Sequence, residues 1–386
     1  MNFRLVWVGS DENPDKHPKW VQGMVAPPDS RVASVRYEQR GREMVRRQRL
    51  QDGRLKFTAL ANFTARIVAD LILDDDARPR RLFKVEAELG GQKIAFVVPS
   101  EEFSRMGWVL NRLGPRAVVY PGQQQHVRAA IQQLSGTIQQ ERIFTHLGWR
   151  KQGSDWIYLH AGGAVGAKEL DRHLEVDLPS ALQHYQLPMP ADRSKLVTAV
   201  RASLDFLSVA ADRITVPLLA TVYRAPWGEV DFSVFLTGRT GTFKTALAAI
   251  CQQHFGAAMD ANHLPGHFAS TANALESLAF SAKDGLLVVD DFAPTGGVGD
   301  GTLEAVAERL FRAAGNHQGR GRLGGNGRVR APQPPRALIL ATGEQVPRGQ
   351  SLRARLLILE VGSRDVNQSV LTQCQRQLKQ DNSPLQ

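Results

Sequence analysis

Residues 234–249, VFLTGRTGTFKTALAA, constrain the fold more than any other part of the chain. The apolar start reads as a buried strand, the glycine-bearing centre as a tight turn, and the end as the opening of a helix. A strand that turns straight into a helix begins a crossover connection, which predicts a parallel sheet covered by helices. The same turn suits phosphate. Glycines let backbone N–H groups face a β-phosphate, and the helix aims its positive end at the same place. Lys244 is placed to neutralise β- and γ-phosphates, and the Thr245 hydroxyl to ligate Mg²⁺. Gly238, Arg239, Thr240, Gly241, Thr242, Phe243, Lys244 and Thr245 are therefore the expected nucleotide-binding residues, with ATP and Mg²⁺ as the ligands. Phe243 stands where a glycine is expected. With a right-handed backbone its ring can point away and the loop works; with φ > 0 the residue is strained and the site is expected to fail.

Apolar runs recur at DFSVFLTG, DGLLVVDD, PRALILATG and RARLLILEV, with helical segments between them. Such runs with helical crossovers mean a sheet buried on both faces, and ligands bind beyond the carboxyl ends of its strands. LLVVDDF ends in Asp290 and Asp291, 46 and 47 residues after Lys244. Asp290 is expected to hold Mg²⁺ and Asp291 to orient an attacking water. A phosphate loop and an acidic strand end at compatible spacing arise together by chance far less often than either alone.

The 386 residues leave room for two or three domains. No apolar run is long enough to cross a membrane, and the N-terminus lacks the features of a signal peptide. Cys251 and Cys374 are the only cysteines, with no CxxC pairing; they fit a reducing compartment and exclude a thiolate zinc site. The expected location is cytoplasmic. The net charge of +10 is concentrated. Residues 309–343 carry seven arginines and no carboxylate, and residues 40–49 carry five arginines and one glutamate. Two basic segments on a near-neutral body point to a polyanion, nucleic acid foremost, over a merely solvated loop.

Residues 1–53 read as a basic leader or linker, partly helical near REMVRRQRL. Residues 54–190 read as an α+β module: a strand pair ending at Asp74, Asp75 and Asp76, and a hairpin turning at Gly90 and Gly91. A helix capped by Ser100 follows, with Phe103, Met106, Leu110 and Leu113 on one face, then a Gln-rich helix and further strands. The aspartate run is expected to be a solvated turn, and His146 and His160 to be core histidines. His263 and His267 are separated by Pro-Gly, which rules out one helical face for zinc. Residues 191–386 form the α/β core, opened by two helices with Leu196, Val200, Leu204 and Leu207 as an apolar stripe.

On these motifs the C-terminal part resembles the AAA+ ATPases, a P-loop NTPase class, and in particular the minichromosome-maintenance helicases. More closely, residues 57–360 resemble the domain-of-unknown-function family numbered 927, carried on bacterial plasmids, prophages and genomic islands. THLGWR, YLHAGGAVGA, LTGRTGTFKT, STANALE, VVDDFAP and RAAGNHQGRGR carry that likeness. The resemblance implies a sensor-1 role for Thr342, favoured over Gly343 and Glu344, and a trans-acting arginine finger at Arg355. It implies a hairpin before sensor 1 that carries Arg320, Arg322, Arg328 and Arg330 onto DNA, contacting phosphates rather than bases. It further implies a ring, a hexamer, acting on single-stranded DNA as an ATP-dependent translocase or helicase in mobile-element replication. The alternative is a nucleotide-gated initiator or loader platform with little hydrolysis; a small-molecule kinase is a distant third. Phe243 is bulkier than the residue in those relatives, and Asp291 stands where glutamate is usual. Only 31 residues follow Arg355, too few for a full helical lid, so the lid is absent or the chain is a piece of a longer protein.

Overall fold

Hairpins come first. The computed structural model describes residues 36–166, 170–171, 174–188, 192–294, 296–297, 299–319, 321–323, 329–330 and 332–380. They fall into two compact units, one running to Ala69 and resuming over Phe83–Gln139, the other formed by Asp70–Leu82 with the chain from Gln140 onward.

In the first unit β1 (Arg36–Arg40), β2 (Glu43–Arg49) and β3 (Leu55–Ala61) make an antiparallel sheet. The segment expected to be partly helical is thus the central strand. A register shift between Met44 and Val45 lets two consecutive apolar residues of β2 both lie buried, which an alternating strand does not allow. That local irregularity hides the strand's period from sequence reading. β4 (Phe63–Asp74), β5 (Arg80–Leu89) and β6 (Gln92–Pro99) follow, with Gly90 at φ 61° and Gly91 at φ 89° in the expected turn. Helix α1 spans Ser100–Arg105, and Ser100 is its first residue rather than its cap. Met106 takes a left-handed φ of 61° and ends the helix, so Leu110 stays exposed instead of sharing a face with Phe103. α2 (Gln124–Leu134) buries Val127, Ala130 and Ile131, against a core in which Phe103 and Trp108 stack at 6.0 Å.

The second unit begins with β7 (Gln139–Phe144) and an antiparallel sheet of β8 (Gly148–Gln152), β9 (Asp155–His160), β10 (Gly163–Gly166) and β11 (Leu170–Asp171). β12 (Glu175–Val176) pairs with β7 in parallel. The aspartate run is not a solvated turn: Asp74 is buried and accepts from Arg142 at 3.1 Å and Arg150 at 2.9 Å, and Asp76 pairs with Arg150. Buried carboxylates persist when paired, and the arginines that answer these lie some 70 residues away, out of reach of local reading. His146 and His160 are buried, and burial pulls both below the usual histidine range. α3 (Arg193–Asp205) leaves Leu196, Val200 and Leu204 exposed, so their stripe is not core. α4 (Asp212–Arg224) packs its Ile214, Leu218 and Val222 into the main cluster.

From here strands and helices alternate: β13 (Ser233–Thr237), α5 (Lys244–Gln253), β14 (Gly266–His267), α6 (Ala272–Ser281), β15 (Leu286–Phe292) and α7 (Asp300–Gly315). A short hairpin of β16 (Arg322–Leu323) and β17 (Val329–Arg330) comes next, then β18 (Leu338–Gly343), α8 (Gln350–Arg353), β19 (Leu356–Glu360) and α9 (Gln368–Gln380). The order β14-β15-β18-β13-β19 is parallel throughout. The expected α/β sheet is present, with its carboxyl ends gathered at one edge.

Gln252 locks α5 to that sheet. Its side chain is fully buried; it donates to the Leu286 carbonyl at 3.0 Å and accepts from the Val288 N–H at 2.8 Å. β14 pairs only with Val289 and Asp290, so the amide satisfies backbone groups of β15 that the short strand does not reach. Gln252→Leu is expected to cost about 1–3 kcal/mol, since the buried Val288 N–H loses its partner while the Leu286 carbonyl keeps the Tyr185 hydroxyl. Urea unfolding with an unchanged m-value checks it.

Candidate nucleotide site

The loop between β13 and α5 closes on itself through its lysine. Lys244 Nζ donates to the carbonyls of Gly238 at 2.8 Å and Arg239 at 2.9 Å, and the Thr242 hydroxyl donates to the same Arg239 carbonyl at 2.9 Å. Two glycines permit this path. A Cβ on Gly238 would meet the Val361 carbonyl at 2.3 Å, and Gly241 has φ 81°. Burial pulls the Lys244 ammonium below the usual lysine range, against the attraction of Glu344, Asp290 and Asp291. A multiply charged anion in the loop would restore the full charge, because it favours the protonated form.

Phe243 takes the left-handed branch, with φ 65° and ψ 20°, and stands at the N-cap of α5 without a side-chain cap. This is the strained branch, yet the ring does not fill the space beside the loop. The ring is 36% exposed and forms part of a wall. Beside it a cavity of about 370 Å³ remains open to Lys244, Thr245, Asp291 and Thr342. The cost is confined to one residue, about 1–2 kcal/mol for a non-glycine in this region. Phe243→Gly is therefore expected to stabilise the protein by about 1 kcal/mol, a rise in melting temperature of roughly 2–4 °C. Phe243→Ala, which keeps the backbone penalty, is expected to give no rise.

The acidic strand end is split by a bulge. The register of β15 against β18 shifts between Val289 and Phe292, and Asp291 has φ 67°. The bulge sends the two carboxylates apart. Asp290 turns inward: its Oδ1 accepts from Thr245 Oγ1 at 2.9 Å and also from Thr342 Oγ1. Thr342 Oγ1 in turn accepts from the Asp291 N–H at 3.2 Å. Asp291 turns outward; its side chain is 58% exposed, and its Oδ2 lies 3.5 Å from His267 Nε2. His267 Nδ1 accepts from the Ala269 N–H, so in the neutral ring the proton sits on Nε2, facing the carboxylate.

One hydroxyl at the head of α5 and one carboxylate at the end of β15 thus share a hydrogen bond beside a buried lysine. Oxygen donors of this kind suit Mg²⁺, which takes one or two carboxylates and completes its shell with water and phosphate. No cluster of three or more His, Cys, Asp or Glu side chains able to hold a metal is present among the described residues, and a Mg²⁺–phosphate site does not call for one. Thr245 and Asp290 are the residues that fit the ion.

Sequence reading underweighted two neighbours. Glu344 accepts a hydrogen bond from the Thr240 hydroxyl and lines the cavity; only its place just after an apolar strand signals it. His267 reaches Asp291 because β14 sets it in register with Asp290, and a two-residue strand leaves no pattern to find.

Arg355 stands apart. Its carbonyl accepts from the Ser233 N–H at the amino end of the sheet, a strand's length, roughly 15 Å, from the loop at the carboxyl end. The guanidinium donates to Asn316 Oδ1 at 2.8 and 3.1 Å and to both oxygens of Ser351. All these partners are neutral. Of the expected DNA-binding arginines, Arg322 and Arg330 are backbone register partners in the antiparallel pair of β16 and β17; Arg320 and Arg328 lie outside the described residues.

No family model and no curated protein matches the chain. Among solved structures it is similar to one described as "SCCmec type IV Cch - active helicase". That likeness has 13% identity and a TM-score of 0.43, over 86% of this chain and 60% of the other. The chain therefore spans less than two thirds of that protein's length. No helix among the described residues is long and apolar enough to cross a membrane.

Proposed function

We propose that the second unit is an AAA+ ATPase core that binds Mg-ATP and works as a DNA translocase or helicase. The observation that carries this reading is the meeting of the Thr245 and Thr342 hydroxyls on Asp290 Oδ1, next to Lys244 at the head of α5. In this reading the loop N–H groups and Lys244 hold the β- and γ-phosphates of ATP. Thr245 and Asp290 hold Mg²⁺, which when bound neutralises charge on those phosphates. Asp291, steadied by His267, orients the attacking water, and Thr342 fixes Asp290. A hexameric ring supplies Arg355 from a neighbouring subunit, and the β16–β17 hairpin grips the phosphates of single-stranded DNA. Membership of the mobile-element family numbered 927, a cytoplasmic bacterial setting and a part in replicating a plasmid, phage or genomic island belong to the same proposal.

The second reading, a nucleotide-gated loader platform, draws support from Asp291, whose short carboxylate is turned toward solvent. An ATPase assay with and without single-stranded DNA, beside a native mass measurement, separates the two. DNA-stimulated turnover by a ring supports the motor. ATP-altered DNA binding with negligible turnover supports the platform, and no nucleotide binding at all sinks both.

A further inference from the structure

Besides the nucleotide site, the second unit holds a cavity of about 800 Å³ lined by Trp149, Trp156 and Trp227 together with Lys283, Pro335 and Arg336. Half of the chain's six tryptophans meet there, which calls for a cause because exposed indoles are costly to keep in water. Trp227 is the extreme case at 83% exposure.

The frame behind these rings is fixed. Trp149 Nε1 donates to the Pro226 carbonyl at 2.7 Å, and its ring meets Tyr158 edge-on at 5.2 Å. Gly228 follows Trp227 with φ 68°, and a Cβ there would lie 2.5 Å from Asp284 Oδ1. Arg224 donates to the carbonyls of Gly228 at 2.7 Å and Glu229 at 2.9 Å. A backbone tied down this closely, carrying an indole that touches little, presents a flat apolar face to something outside the chain.

The arginine-bearing segment beside the cavity points to the partner. Lys283 and Arg336 stand in the wall, and Arg336 Nη2 is buried with no hydrogen-bond partner among the described residues. Asp284 and Glu229 also line the cavity and balance those two cations, Lys283 pairing with Asp284 at 2.5 Å, so the rings rather than net charge mark the wall for a partner. Pro334, Pro335 and Arg336 belong to the carboxylate-free segment that carries the β16–β17 hairpin. Arg330 precedes Pro334 by four residues, a reach of at most about 14 Å, so a strand held on the hairpin lies within a few nucleotides of the tryptophans.

We propose that the Trp149–Trp156–Trp227 cavity stacks unpaired bases of single-stranded nucleic acid whose phosphates the neighbouring hairpin holds. The inference rests on the nucleic-acid reading above and adds base stacking to the phosphate contact expected of the hairpin. Stacking on an aromatic ring is indifferent to base identity and nearly indifferent to salt, whereas phosphate contact follows salt steeply.

The test uses the full chain, titrated with oligothymidine at several salt concentrations while tryptophan emission is followed. The wild type is expected to quench on binding. Trp227→Ala and Trp156→Ala are expected to weaken binding roughly 5- to 150-fold at every salt, the range that loss of one stacked base implies. Their salt slope stays unchanged, and Trp227→Phe recovers part of the loss. Arg322→Ala with Arg330→Ala instead lowers the slope, by about one per arginine. Because Trp227 is almost wholly exposed, its truncation leaves the fold intact, which a melting curve confirms. Both tryptophan variants binding and quenching like the wild type would overturn the stacking site and leave the nucleic-acid reading standing. A wild type that binds no oligonucleotide removes both, and quenching by a proline-rich peptide alone assigns the cavity to a protein partner.

Discussion

Lys244→Ala is expected to lower ATP turnover by more than about 100-fold, the usual loss when one preorganised charge is removed from a phosphoryl-transfer site. Two effects add. The ammonium no longer meets the phosphates, and the loop loses the two hydrogen bonds through which Nζ ties the Gly238 and Arg239 carbonyls. The second effect alone would loosen the loop and weaken nucleotide binding without touching the chemistry. Lys244→Gln separates them, since its amide can still donate to a loop carbonyl but carries no charge. If turnover depends on charge, the glutamine variant is as inactive as the alanine one while holding nucleotide better. Turnover within a few-fold of wild type in both would remove Lys244 from the site. Melting temperatures control for folding, because Lys244 is buried at the first position of a helix whose Leu247, Ala248 and Cys251 belong to the core.

Legibility followed the range over which each signal acts. The parallel sheet was readable because strands buried on both faces spell continuous apolar runs, as LLVV and LILA do at the starts of β15 and β18. That Asp290 and Thr342 lie close together was readable because each follows such a run, and Lys244 and Thr245 follow the turn that β13 leads into. Phe243 was legible only as a choice between two backbone states, and the helix it precedes settled that choice with φ 65°. The bulge that parts Asp290 from Asp291 was not legible, since nothing in a DD pair says which carboxylate faces in. His267, Glu344 and the burial of Asp74 depend on contacts between distant segments, which no local pattern encodes. The tryptophans were equally hidden: Trp149, Trp156 and Trp227 come from three separate elements and look unrelated until the sheet β8–β9 and the turn before β13 bring them to one cavity.

Arg355→Ala is expected to cost about 1,000-fold or more in turnover, the scale of a finger that stabilises charge on a transferring phosphoryl group. The geometry makes a sharper demand. Arg355 lies at the amino end of β19 while the loop of the same subunit follows the carboxyl end of β13, and the two strands run parallel in register from Ser233 with Leu356 to Thr237 with Glu360. Its own γ-phosphate is out of reach, so any finger action must come from a second copy. Mixing settles this. Arg355→Ala subunits keep Lys244, and Lys244→Ala subunits keep Arg355, so an equal mixture that exchanges subunits builds intact interfaces from two inactive proteins. Random head-to-tail assembly makes roughly a quarter of the interfaces intact, and turnover near that fraction of wild type is the expected result. A mixture as inactive as its parts, in rings shown by native mass to contain both subunits, would leave Arg355 tied to Asn316 and Ser351 as a structural residue.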